Sequence, residues 1–258
     1  MSGMTQESIF ITGAASGIGQ ATARVFVGKG WRVGLADRNA AALDELKAEL
    51  GPNAYAFPLD VLDGSQLAAA LNDFCRPSGA LKAIFNSAGI LEMKPFAETP
   101  VDRLHAIIDV NVKGVINTIS AALSFLRAHG DACVVTMGSV SGLYGIPDLA
   151  VYSASKFAVR GLTEALNIEL ERDGIWVTDL MVAYVKTPMV EAAASKAKSV
   201  EILGVNVLPE TVADTVWKAV QGRQVHWFVT SGDARVASQI DSTPWESRRE
   251  LVKSITGF

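Results

Sequence analysis

Cysteine and histidine are scarce in this chain of 258 residues. Cys75 and Cys133 are its only cysteines, and His105, His129 and His226 its only histidines. The two cysteines are isolated in apolar segments, which predicts buried thiols and not a disulfide. The scattered histidines offer no metal-ligand spacing, so no metal site is expected. Positive charge is not in excess. Lys and Arg number 23 against 27 Asp and Glu, a net charge of −4, so there is no basic footprint for nucleic acid. No apolar run approaches the roughly 20 residues of a membrane helix. The first seven residues, Met1 to Glu7, lack the charged and apolar regions of a signal peptide. A cytoplasmic protein without membrane or nucleic-acid partners is expected. Repeats, low-complexity stretches and linkers are also missing. Hydrophobic residues make up 49% of the chain and charged residues 19%, which suits one domain with a large buried core.

What is present is organised around Ser8 to Gly19. Ser8-Ile9-Phe10-Ile11-Thr12 reads as a buried strand, followed by the turn Gly13-Ala14-Ala15-Ser16-Gly17-Ile18-Gly19 and a helix running to Lys29. Glycines let the main chain approach a bulky anion, and a helix N-terminus offers unpaired N–H groups and a positive dipole end. Gly13, Ser16, Gly17, Ile18 and Gly19 are therefore candidate ligands of a dinucleotide pyrophosphate. The same spacing also occurs in plain strand-to-helix turns.

Apolar runs at 31–36, 54–59, 83–85, 132–137, 175–181 and 225–229 read as six further strands, with helices between them. Ser65 is expected to cap the helix ending at Cys75, and a long helical region from 101 to 129 is expected to break near Ile108. Helices are also expected over 152–171 and 190–197 and from Pro209, with a polar, partly helical tail over 231–258. Continuous apolar strands alternating with helices predict a parallel, doubly wound sheet covered on both faces. Ligands bind such sheets beyond the C-terminal strand ends. Asp37, Asp60, Asn86, Ser139 and Ala183 all fall there.

Asp37 lies 18 positions beyond Gly19, where a carboxylate can accept from both ribose hydroxyls and repel a 2′-phosphate. This favours NAD over NADP. Asp37 could instead cap the next helix, although Asn39 serves that role equally well. Arg38 keeps NADP open, since a guanidinium there can pair with a 2′-phosphate. Asp60 and Val61 are candidates beside the adenine. Tyr152 and Lys156 stand four residues apart, on one face of a helix. An ammonium within roughly 4–6 Å favours the phenolate and lowers its pKa by about 1–3 units. The Tyr-x-x-x-Lys spacing alone is common by chance. Ser139, after a buried strand, supplies a hydroxyl to orient a substrate oxygen.

Together, Thr12 to Gly19, Asn86-Ser87-Ala88-Gly89, Asn111, Ser139, Tyr152 and Lys156 resemble the short-chain dehydrogenase/reductase family over about residues 8–230. The resemblance implies a seven-stranded Rossmann-type domain moving a hydride between a nicotinamide and a carbinol or ketone. It implies that Tyr152 is the general acid/base, Lys156 its partner and ribose anchor, and Ser139 the holder of the substrate oxygen. It also implies that Asn111 supports a relay water and that Asn86, Ala88 and Gly89 border the cofactor. Val185 and Thr187 would contact the carboxamide, in a homo-oligomer, most often a tetramer and otherwise a dimer. Two departures stand out. Ser87 replaces an asparagine, and the family's usual Pro-Gly after the sixth strand is missing, the chain reading Ala183-Tyr184 ahead of Val185.

The segments 90–96, 141–149 and 184–207 are expected to line the substrate pocket, with Ser141, Tyr144, Tyr184 and Met189 as candidate contacts. They are mainly apolar and aromatic and contain no arginine to clamp a carboxylate, although Lys94, Lys186, Lys196 and Lys198 lie within them. A hydrophobic secondary alcohol or ketone is the expected substrate. Two other readings stay open: a nucleotide-binding regulator of the same fold, and an epimerase or dehydratase that uses the cofactor without net turnover.

Overall fold

The computed structural model describes residues 6–193 and 195–258. Seven strands form one parallel sheet in the order β3-β2-β1-β4-β5-β6-β7. They are β1 (Ser8–Thr12), β2 (Arg32–Asp37), β3 (Ala54–Pro58), β4 (Ala83–Asn86), β5 (Ala132–Met137), β6 (Ile175–Met181) and β7 (His226–Phe228). Strand order reverses between β1 and β4, where Ile11 pairs with Leu35 on one side and Phe85 on the other. The crossovers on the two sides run in opposite directions, which opens a crevice at the C-terminal strand ends.

Alternation along β1 shows how both faces are covered. Ile9 and Ile11 join a core completed by Phe26 of α1 (Gly17–Gly28), Leu43 and Leu46 of α2 (Ala40–Leu50), and Val212 and Val216, from a later helix. Phe10 faces the other way, towards Leu71 and Phe74 of α3 (Gly64–Cys75). The helix following β4 is interrupted as its sequence foretells. After α4 (Val101–Ile108) comes a π-turn over Asp109–Lys113, and then α5 (Gly114–His129). This continuous run of 29 residues has a stretch of mean hydropathy 1.3 and is long and apolar enough, by length and composition alone, to cross a membrane. That amends the expectation that no segment qualifies. Its inner side, Ile107, Val115, Ile119, Ala122 and Leu126, is buried; the last four of these pack on the sheet, which accounts for the apolar content.

The remaining helices are α6 (Ala150–Glu169), α7 (Pro188–Glu191), α8 (Lys198–Leu203), α9 (Pro209–Gln221), α10 (Ser231–Ser242) and α11 (Trp245–Thr256). Two expectations are corrected. Asp63, not Ser65, caps α3, because its carboxylate accepts from both Ser65 N and Gln66 N, at 2.9 and 3.0 Å. The helix expected over 190–197 is replaced by the short α7 and α8, with Ala194 outside the described residues. Pro188 starts α7 at its first position, and Ala197 is extended, so the chain folds back to bury Val190, Ala197 and Val200 against Met93 and Leu149. The tail is helical as expected, forming α10 and α11, and docks through Ala237 and Ile240 onto Leu143. Cys75 and Cys133 are free and buried, and burial pushes their thiols up to about 11 and 12.

Candidate active site

A cleft of about 340 Å³ follows the C-terminal strand ends from the β1 turn to α8. At its first end Gly13 has φ +68°, and a Cβ there would lie 2.7 Å from the backbone of Ala88. A Cβ on Gly19 would meet the Gly13 carbonyl at 2.1 Å. Only glycine lets these three segments close up beneath the N-terminus of α1. Ser16 precedes that helix with its side chain making no cap, so the first-turn N–H groups stay open to an anion. Asp37 ends β2, and its carboxylate is oriented by the N–H groups of Ala15, at 3.2 Å, and Asn39, at 3.0 Å. Asn39 takes the α2 cap by accepting from Ala42 N, leaving Asp37 on the cleft wall. Arg38 is exposed and leans towards Asp60 at 3.8 Å. These residues fit a dinucleotide: a close-backbone cradle for pyrophosphate, then a carboxylate for a ribose.

Gly13, Ser16, Gly17, Ile18, Asp37, Arg38, Asp60, Val61, Ala88, Gly89, Val185 and Thr187 all line the cleft. Gly19 and Asn86 lie behind it. Gly19 packs on the turn, and Asn86 donates through Nδ2 to Thr136 Oγ1 at 3.1 Å, bracing β4 against β5.

Ser139, Tyr152 and Lys156 occupy the wall at mid-cleft. Ser139 Oγ accepts from Ser141 N at 3.1 Å and lies 3.0 Å from Ser141 Oγ. Lys156 is buried and donates to the Met137 carbonyl at 2.7 Å. Its Nζ stands 5.4 Å from the centre of the Tyr152 ring. Burial lowers the Lys156 ammonium to about 8 and raises the Tyr152 phenol to about 12, although Ser139 beside the phenol opposes that rise. The lysine was expected to pull the tyrosine down. Desolvation dominates the shift of Tyr152, and a downward pull from Lys156 is not among its causes.

Asn111 sits at the centre of the π-turn, buried and outside the cleft. Its Oδ1 accepts from Ile90 N at 2.8 Å, and Nδ2 donates to Ile90 O at 3.0 Å and to Ser155 Oγ at 3.1 Å. The carboxamide thus ties the loop after β4 to the helix bearing Tyr152 and Lys156. The π-turn is a local departure of the kind found at functional sites.

The far end is apolar, lined by Leu91, Ile146, Leu149, Met189, Val190 and Leu203. Ser141 and Tyr184 line it too, and Tyr184 OH lies 2.7 Å from Ser199 Oγ of α8. Tyr144 does not line the cleft. It packs towards Ala237 and Ile240 because the turn Val140–Gly142 directs the following residues to the tail. None of the four lysines lines the cleft either; Lys198 Nζ lies over the Phe258 ring at 4.6 Å. Ser199 and Leu203 lie in the 184–207 segment expected to line the pocket, but neither was singled out, since which of its side chains turn inward depends on how an irregular segment folds back.

A sequence profile of the short chain dehydrogenase family matches residues 7–198. The chain belongs to this family. Oxidoreductase UcpA of Escherichia coli is 32% identical over 87% of this chain and 84% of its own length. Cyclohexanol dehydrogenase of an Acinetobacter species is 34% identical, over 80% of this chain and 84% of its own. A short-chain dehydrogenase/reductase from Burkholderia phymatum, solved in complex with NAD, superposes with TM-score 0.82 at 24% identity, covering 92% of this chain and 94% of that one. This family member therefore has the same Rossmann-type fold.

Proposed function

We propose that the protein transfers a hydride between NAD(H) and a hydrophobic secondary alcohol or ketone. One observation carries the reading: Ser139, Tyr152 and Lys156 share a single cleft with Asp37 and the glycine turn, and that cleft ends in an apolar pocket. A nicotinamide bound along it would accept or supply the hydride. Gly13, Ser16, Gly17 and Ile18 would hold the pyrophosphate, Asp37 the ribose, Asp60 and Val61 the adenine side, and Ala88, Gly89, Val185 and Thr187 the nicotinamide half. Tyr152 OH gives its proton to the carbonyl oxygen in reduction and takes it back in oxidation. Ser139 Oγ orients that oxygen, and the buried Lys156 supplies positive charge when the phenolate forms. Asn111 keeps the helix carrying both residues in register with the loop after β4.

The substrate preference rests on the chemistry of the far end. Its side chains are mainly aliphatic, and its polar atoms come from Ser141, Tyr184 and Ser199; among the described residues the cleft's cations, Arg38 and Lys156, belong to its cofactor end and middle. The cyclohexanol dehydrogenase relative agrees with an alicyclic alcohol. NAD is favoured because Asp37 lies on the wall, while Arg38 turns to Asp60. The test is absorbance at 340 nm across a panel of alicyclic, aromatic and carboxylated alcohols and ketones, with NAD(H) and NADP(H). Turnover of uncharged substrates with NAD(H) supports the reading. Cofactor binding without turnover would assign a regulator instead. Product formation without net reduced cofactor would assign an epimerase or dehydratase.

A further inference from the structure

The C-terminal helices take no part in the chemistry above, yet they reach the site through one peptide unit. Val182 and Ala183 follow β6, and both line the cleft. The carbonyl of their shared peptide accepts from Val140 N at 3.2 Å and from Ser139 Oγ at 3.4 Å. The N–H of the same peptide, on Ala183, donates to Asp233 Oδ1 at 3.1 Å. Asp233 is buried in the first turn of α10. Its second oxygen accepts from Thr230 N and Thr230 Oγ1, at 3.0 and 2.7 Å, as half of a capping box. The cap uses only Oδ2. Oδ1 leaves the helix and is spent on the strand end that faces the catalytic serine.

We infer that Asp233 is a positioning residue that sets the hydroxyl of Ser139 through the Val182–Ala183 peptide. The inference rests on the role proposed for Ser139. A peptide is planar and turns as a unit, so anchoring its N–H fixes the direction of its carbonyl. An anionic acceptor on the N–H also polarises the amide and strengthens the carbonyl as an acceptor. Ser139 Oγ receives two orienting contacts from Ser141, and its hydroxyl rests on the Val182 carbonyl at 3.4 Å, a long contact that a substrate oxygen can displace. Releasing the peptide frees that carbonyl to swing and lets the serine hydroxyl re-aim. Rigidity is built in on the other side as well, because Ala237 and Ile240 of α10 pack against Leu143, just beyond Ser139.

The test compares Asp233→Ala, Asp233→Asn and Thr230→Ala in the full chain. The first readout is hydrogen exchange of the Ala183 amide by NMR, which needs neither cofactor nor turnover. It should quicken at least about tenfold in Asp233→Ala and stay slow in Thr230→Ala, as expected for loss of a bond to a charged acceptor. The second is kcat, which should fall about 10- to 100-fold in Asp233→Ala while the Kd for NADH moves less than about threefold, the scale of a displaced catalytic group. Asp233→Asn keeps an acceptor oxygen and should recover part of the loss. Thr230→Ala should lower Tm through the lost cap and leave kcat unchanged. Equal losses of kcat in the Thr230 and Asp233 variants would make Asp233 a helix cap only and overturn the inference. Unchanged Ala183 exchange in Asp233→Ala would also overturn it. If the wild-type chain turns over no alcohol or ketone, the proposed reaction fails, and Ala183 exchange still decides the anchor.

Discussion

The Nζ of Lys156 lies over the ring of Tyr152, 5.4 Å from its centre, while donating to the Met137 carbonyl at 2.7 Å. The lysine is therefore fixed by the end of β5, and the tyrosine by its place one turn earlier on α6. Both are set before any ligand arrives, as the proposed general acid and its charged neighbour would require. Tyr152→Phe should leave folding and NADH binding unchanged and lower kcat by at least about 100-fold, the usual scale of general acid/base catalysis. Ketone reduction at 340 nm, beside a fluorescence titration of NADH, measures both. Retention of more than about a tenth of the rate would remove Tyr152 from the proton transfer, because losing a general acid costs about 100-fold or more.

Cofactor choice should turn on Asp37. In Asp37→Ala the ribose acceptor is lost and the repulsion of a 2′-phosphate disappears. NAD affinity should fall by roughly 10- to 150-fold, the cost of one charge-assisted hydrogen-bonding group, and NADP should gain. Kinetic constants with both cofactors test this. A wild-type preference for NADPH would instead assign the site to Arg38, freed from Asp60.

Tyr184 both walls the cleft and holds α8 through Ser199. Two variants separate these jobs. Tyr184→Phe keeps the ring and loses the 2.7 Å contact with Ser199 Oγ. It should raise KM modestly for every substrate, because α8 closes less firmly. Tyr184→Gly removes the wall, so KM should rise for small alcohols and bulkier ones should be newly accepted. A size series of secondary alcohols gives the comparison. A uniform shift in Tyr184→Gly would place the ring in packing alone.

Histidine titration should report the cluster at the β6–β7 edge. His226 Nδ1 lies 2.8 Å from Asp179 Oδ1, and its Nε2 lies 3.2 Å from Glu164 Oε1. The Asp179 contact raises the His226 pKa above the ordinary 6.5, against burial and the Arg160 charge. Burial also raises Asp179 itself. In both groups the folded state binds a proton more tightly than the unfolded state. The stabilisation from His226 is thus complete below about 6.5 and is lost as pH rises through the folded value. NMR of the ring should show the raised pKa, and Asp179→Asn should bring it back down. A ring titrating at or below 6.5 in the wild-type chain would contradict the assigned pair.

The local chemistry of this protein was legible in its residues. Gly13 and Gly19 announce a turn that side chains would block, and Asp37 falls where the second parallel strand must end. Tyr152 and Lys156 share a face because any helix repeats in about 3.6 residues. Apolar runs without alternation declare a sheet buried on both sides. All these signals are short-range: they depend on dihedral freedom, helical period and burial of one segment at a time.

Tertiary structure decided what depends on distant segments meeting. Burial is what raises the Tyr152 pKa, and burial is a property of every element around the ring. Tyr144 faces the tail and Tyr184 the cleft because α10 and α8 dock where they do, although both tyrosines lie in loops of similar composition. Asn111 joins Ile90 to Ser155, 44 positions away along the chain. Asp233 lies 50 positions beyond the amide it holds. Spacing in sequence carries no trace of such pairs, because a hydrogen bond acts over about 3 Å of space whatever length of chain separates its partners.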